Sequence, residues 1–131
     1  MNDRGALKLS DRGKTGFEGE ETAALYLKRK GYQILARRFR SRAGEIDIVA
    51  RDHGEIVFVE VKTRGASAFD GAADALRAKQ VRRLARAAEL FLDIHNLDGT
   101  PSRFDVVAVD LENGKFHIEH FPAAFDLPDE F

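Results

Sequence analysis

The chain has 131 residues, 44% hydrophobic and 33% charged, which suits one globular domain with a single core and argues against a disordered chain. It contains no cysteine, which excludes disulfides and thiolate metal sites and fits a reducing compartment. The net charge of −1 conceals two unequal parts: residues 1–86 carry 19 Lys and Arg against 12 Asp and Glu, a balance of +7, while residues 87–131 carry 2 against 10, a balance of −8.

Residues 1–14 are polar and charged and read as a flexible arm with no apolar secretory segment. No run approaches the ~18 apolar residues of a membrane span, so a cytoplasmic protein with no membrane partner is expected. Thr15-Gly16-Phe17-Glu18 has capping-box spacing and predicts a helix from about Gly16 to Lys30, stopped at Gly31. Phe17, Glu20, Ala24 and Leu27 fall on one stripe of that helix, with Ala23 beside it. Glu20 therefore stands among core-facing residues, as a site member or as the partner of a buried base.

Tyr32 to Phe39 reads as a strand, followed by a basic turn over Arg40 to Ala43. Strands over 45–51 and 55–63 follow, joined by the tight turn Asp52-His53-Gly54. Side chains alternate faces along a strand. Glu45, Asp47 and Val49 should share one face, with Ile46 and Ile48 on the other. In the next strand Ile56, Phe58, Glu60, Lys62 and Arg64 should share a face, opposite Val57, Val59 and Val61. A carboxylate and an amine thus sit two residues apart on a strongly apolar strand, and a second carboxylate lies on the strand before it. Charges in such a setting are costly unless paired or bound to metal.

The Gly- and Ala-rich loop 65–73 leads to a long helix over about 74–95, with apolar Leu76, Val81, Leu84, Ala88, Phe91 and Leu92 and a basic face of Arg77, Lys79, Arg82, Arg83 and Arg86. Residues 103–110 form a strand in which Arg103 and Asp105 make a structural charge pair. Asn113-Gly114 turns it into a strand over 115–121. Residues 122–131 read as an acidic, irregular tail, which leaves 15–121 as the folded domain. The four histidines show no metal-ligand spacing that fits the site, and His117 and His120 are expected to face solvent. The order αβββαββ predicts an α/β fold, a mixed sheet flanked by helices.

Hard divalent cations take carboxylate oxygens, waters and phosphate. Asp47 and Glu60 can supply such ligands, Lys62 can orient or deprotonate a water, and Arg64 can hold a phosphate in bidentate fashion. Glu20 is a third carboxylate within the pattern. Glu45 reads as a supporting group or a partner of Arg42 or Arg64. The basic residues Arg37, Arg40, Arg42, Lys79, Arg82 and Arg83 suit a phosphate backbone, and equally a solvated surface.

The Asp…Glu-x-Lys layout with an upstream helical Glu resembles the restriction-endonuclease-like, or PD-(D/E)xK, nuclease superfamily. The closer resemblance is to the YraN-like family of small bacterial proteins and, through it, to archaeal Holliday-junction resolvases. It rests on Gly16 and Glu20, Gly31-Tyr32, Gly44-Glu45-Ile46-Asp47, Val57 to Lys62 with Arg64, Lys79-Gln80, and Arg103 to Val107, and it spans about residues 13–121. The resemblance implies a restriction-endonuclease-like fold. It implies Asp47 and Glu60 as ligands of Mg²⁺ or Mn²⁺, Lys62 as the catalytic lysine and Glu20 as a further acidic site residue. Gln80 resembles a glutamine that some members carry after the core strands. One departure is Arg38, where the family often has Asn. The activity implied is hydrolysis of phosphodiester bonds in DNA, with branched or single-stranded DNA among the substrates it allows and a homodimer allowed. The alternative is a catalytically weak nucleic-acid-binding or scaffold protein in a DNA-processing assembly.

Overall fold

The computed structural model describes residues 12–64 and 74–125, with the side chains of residues 18–63 and 79–125. Seven elements follow in the expected order: α1 (Arg12–Arg29), β1 (Gln33–Arg40), β2 (Glu45–Asp52), β3 (Glu55–Arg64), α2 (Asp74–Ile94), β4 (Ser102–Glu112) and β5 (Lys115–Phe125). They make one five-stranded sheet in the order β1-β2-β3-β4-β5. β3 and β4 run parallel and the other neighbours antiparallel. The parallel step requires a crossover, and α2 supplies it.

The predicted arm up to residue 11, the loop 65–73, and the tail from 126 onward lie outside the described residues. Two boundaries differ from expectation by more than two residues. α1 starts at Arg12, so Thr15 is inside the helix and is not its N-cap. β5 continues to Phe125, four residues into the expected tail. Both hairpin turns have two central residues with positive φ, His53 and Gly54 at 52° and 84°, and Asn113 and Gly114 at 52° and 76°. That is the twist-matched geometry for tight hairpins.

Two apolar layers cover the sheet. On the α1 side Ala23, Ala24 and Leu27 pack on Ile48, Ala50, Val57, Val59, Val107 and Val109. On the α2 side Leu84, Ala87, Ala88 and Phe91 pack on Ile46, Val49, Ile56, Phe58 and Phe104. The alternation expected of β3 is therefore met, with its odd residues facing α1 and its even residues facing α2. Ile46 departs from expectation. It lies on the α2 side, opposite Ile48, because the period-2 alternation breaks at Asp47 between them.

Arg103 and Asp105 do form a charge pair, within a larger network. Asp105 is the one charged side chain fully buried among the described residues. It accepts hydrogen bonds from Arg103 Nε at 2.9 Å, His120 Nε2 at 2.8 Å and the Ala123 amide at 3.0 Å. Burial alone would raise its pKa, but these partners hold it below the usual carboxylate value. His120 corrects the solvent-facing expectation: its side chain is 3% exposed. Its alternate-residue neighbours Phe116 and Ile118 also pack on the α1 side, so the face it shares is an apolar one. His117 is exposed, as expected.

α1 packs closely on β3 at Gly19, which is buried and faces Thr63. A Cβ at Gly19 would collide with Thr63 Oγ1 and come within 3.2 and 3.3 Å of its other side-chain carbons. Gly→Ala inside a helix ordinarily stabilises by about 1 kcal/mol. Here Gly19→Ala should instead destabilise by about 1–3 kcal/mol, the range for overpacking. Urea unfolding with an unchanged m-value checks this, and a more stable variant would show that α1 can move off β3 freely.

Candidate active site

β2 and β3 pair from Asp52↔Glu55 up to Ile48↔Val59, and there the register stops. Beyond it the Asp47 carboxylate takes over the role of a ladder acceptor. Its Oδ2 accepts the Val61 amide at 2.7 Å. This opens the strands at Asp47 while holding its carboxylate against β3, next to Glu60. Two even-numbered residues of β3, Glu60 and Lys62, project from the same face, with Lys62 Nζ 3.0 Å from Glu60 Oε2.

Arg38 lies opposite this irregularity. It falls between the β1–β2 pairs Arg37↔Ile48 and Phe39↔Ile46 and has φ 53°, a left-handed conformation uncommon for residues other than Gly, Asn and Asp. That turn of the backbone has two effects. Phe39 swings to the α2 side, where its ring meets Phe91 edge-on at 5.2 Å. Arg37 and Arg38, which an ordinary strand would send to opposite faces, both reach α1. Arg37 Nη2 donates to Glu21 at 2.9 Å and Arg38 Nε to Glu20 at 2.8 Å. The Asn expected by family resemblance at Arg38 suits the same left-handed backbone without this ion pair.

The cleft so formed has a volume of about 250 Å³ and is lined by Gly44, Glu45, Asp47, Glu60, Gln80, Arg83 and Leu84. Of the residues expected at the site, it brings together Asp47, Glu60, Gln80 and Arg83, with Lys62 joined through Glu60. Glu20 does not line the cleft, yet its charge acts on Asp47 from the α1 side. Among the described side chains Glu45 does not pair with Arg42; it accepts from Arg40 Nε at 3.0 Å, directly across the β1–β2 ladder. Lys79, Arg82 and Arg42 are exposed, and the Arg64 side chain lies outside the described residues. Gly19 and Phe125 went unnoticed in the sequence. A glycine inside a helix is a signal for close packing; Phe125 carries no such signal.

Burial pushes the Asp47 pKa up to about 7, against the Val61 hydrogen bond that favours the ion, and the charges of Glu60, Glu20 and Glu45 add to the rise. A carboxylate whose charge is opposed first by burial and then by like charges is a site that a cation relieves. Among the described residues no group of three His, Cys, Asp or Glu is placed to hold a metal. The donors are the two carboxylates Asp47 and Glu60, which fit a hard, hydrated cation such as Mg²⁺ or Mn²⁺ and not a cation that needs a full protein cage.

The fold is thus a restriction-endonuclease-like α/β sheet, with an Asp, a Glu and a Lys gathered where β2 and β3 part. The profile of the family described as "Uncharacterised protein family UPF0102" matches residues 19–109, and the chain belongs to that family. The chain is 42% identical over 112 residues to a UPF0102 protein of Persephonella marina, covering 86% of this chain and 93% of the relative. It is 47% identical over 114 residues to one of Trichlorobacter lovleyi, covering 86% and 90%, and 38% identical over 120 residues to one of Bacteroides thetaiotaomicron, covering 92% and 98%. No described helix is long and apolar enough to cross a membrane.

The Asp47 pKa fixes a stability test. Between its ordinary value of 3.8 and about 7 the folded chain holds a proton that the unfolded chain has released. Stability therefore falls as pH rises through that window and stays reduced above it. In EDTA, Asp47→Asn should match the wild-type Tm at about pH 4 and exceed it by several degrees at about pH 8, since about 1 kcal/mol moves the Tm of such a domain by roughly 3–4 °C. Asn retains an acceptor for the Val61 amide and removes the charge. Equal melting curves at the higher pH would contradict the strained carboxylate.

Proposed function

We propose that the protein is a metal-dependent endonuclease that hydrolyses phosphodiester bonds in DNA. The observation that carries this reading is the convergence of Asp47 and Glu60 on one cleft with Lys62 bonded to Glu60. Asp47 and Glu60 would hold Mg²⁺ or Mn²⁺ through their carboxylate oxygens. Such an ion, when bound, polarises a phosphoryl oxygen and lowers the pKa of a bound water.

The chain's own residues supply the rest. The Val61 amide fixes the Asp47 carboxylate beside Glu60. Lys62 Nζ, half-exposed and tethered 3.0 Å from Glu60, can hold or move a proton at an attacking water or steady the phosphate. Arg83, at the rim of the cleft, offers a guanidinium to the phosphate backbone, and Lys79 and Arg82 extend that basic surface along α2. Glu20, clamped by Arg38, adds negative charge near Asp47 and so favours the cation.

The Lys62–Glu60 ion pair is also what a non-catalytic DNA-binding or scaffold protein would keep for structure, and kinetics separates the two. Lys62→Ala should retain metal binding and lose ~10²–10⁴-fold in single-turnover cleavage of a DNA panel (duplex, single strand, flap, four-way junction), the usual share of a positioned proton-transfer group. A Lys62→Ala protein that cleaves like wild type, with contaminating nuclease excluded, would remove Lys62 from the chemistry.

A further inference from the structure

The buried Asp105 network has no part in the metal or phosphate chemistry, yet one of its bonds shapes the edge of the active site. Asp105 Oδ1 accepts the amide of Ala123, a residue with φ 50°. A left-handed alanine costs energy and persists only where its surroundings impose it. At this point the β4–β5 pairing slips, from Val106↔Phe121 to Phe104↔Phe125, leaving extra residues in β5. A bulge of this kind bends an edge strand and re-aims its side chains. The side chain it delivers is Phe125, whose ring packs against Phe104 with centroids 5.3 Å apart on the α2 side of the sheet.

Phe125, Val81, Leu84 and Val106 make an apolar shelf whose rim is Glu60, Lys62 and Gln80. Val81, Leu84 and Val106 are buried and Phe125 is half-buried, so the open part of the shelf is the Phe125 ring, and the hollow of about 20 Å³ over it is too small to enclose a base. It is continuous with the cleft, sharing Glu60, Gln80 and Leu84.

We propose that this shelf is a stacking subsite for one unpaired nucleobase next to the phosphodiester bound at Asp47, Glu60 and Lys62. The inference deepens the endonuclease reading and rests on it for the identity of the polymer. An apolar floor beside Lys62 repels a second phosphate and accepts the face of a base. The nucleoside attached to a phosphate at Lys62 is the group within reach. Exposed Lys79 and Arg82 on α2 suit the flanking phosphates. Phe125 is already braced on Phe104, so stacking on it orders little that is free. A base inside an intact duplex is stacked on both faces and is not available to Phe125. The substrate class is therefore DNA with unpaired nucleotides at the cleavage position: single strands, flaps, open junctions or frayed ends.

The test uses the full chain in EDTA, so that binding is read without turnover. The probes are an oligonucleotide carrying 2-aminopurine at successive positions and the same strand in a duplex. Single-strand binding should quench the fluorophore at one or two positions. Phe125→Ala should abolish that quenching and weaken single-strand affinity roughly tenfold, the typical effect of one lost base–aromatic stack, with duplex affinity unchanged. Phe125→Trp should restore both, and it guards against a folding defect in the alanine variant. Quenching that survives Phe125→Ala, equal losses on single strand and duplex, or no single-strand binding by the wild type would overturn the subsite. Quenching that depends on Phe125, in a protein that cleaves nothing when Mg²⁺ or Mn²⁺ is added, would keep the subsite and overturn the nuclease reading. Cleavage unaffected by Phe125 would do the reverse.

Discussion

Asp47 is a half-buried carboxylate set among three others, Glu60, Glu20 and Glu45, and the surrounding structure is arranged to tolerate that repulsion. Each neighbour is tied to its own cation: Glu60 to Lys62, Glu20 to Arg38 and Glu45 to Arg40. Among the described residues Asp47 has an amide hydrogen bond, from Val61, and no paired cation. One hydrogen bond does not offset burial and three like charges, so its pKa rises to about 7. The fold therefore holds a partly unneutralised negative site, stabilised from outside by its two apolar layers. A divalent cation is the simplest species to complete it.

The backbone shows how the constraint is met. β1 and β2 both lose their two-residue alternation at facing positions, Arg38 and Asp47, and β1 has a separate bulge nearer its start, between Ile34 and Ala36. A single irregular strand would have shifted register against its neighbour and misplaced a whole hydrophobic face. The paired irregularities at Arg38 and Asp47 keep the flanking pairs Arg37↔Ile48 and Phe39↔Ile46 in step and free one side chain in each strand. One becomes the candidate ligand Asp47 and the other the clamp on Glu20. At the opposite edge the Ala123 bulge does the same kind of work, spending strain and a buried carboxylate contact to turn Phe125 inward.

Much of this was legible in the sequence because it depends on local pattern. The valine-rich alternation of β3, the two tight turns, the Gly31 stop of α1 and the element order all follow from residues close in the chain. The pairing of Glu60 with Lys62 follows from strand period alone, and Asp47 beside them follows from its place on the preceding strand. What escaped notice depends on how strands and helices meet in space. Glu45 meets Arg40 because of the β1–β2 register, and His120 is buried because Asp105 on the neighbouring strand accepts its Nε2 hydrogen bond. Ile46 changes sides because of a ladder interruption that no alternation rule foresees. Gly19 could have been flagged as a costly helical glycine, but its partner Thr63 lies 44 positions away and only the packing of α1 on β3 identifies it.

The central claim is that Asp47 and Glu60 form a divalent-cation site held ready by electrostatic strain. Calorimetric titration of Mn²⁺ into the metal-free protein near pH 7, repeated in buffers of different ionisation enthalpy, tests it most directly. The account predicts one site per chain and release of part of a proton on binding, because the raised pKa of Asp47 leaves it partly protonated there. Asp47→Asn should remove both the high-affinity heat and the proton release. Binding with the same affinity and no proton release in wild type and Asp47→Asn alike, or no binding at all, would contradict it.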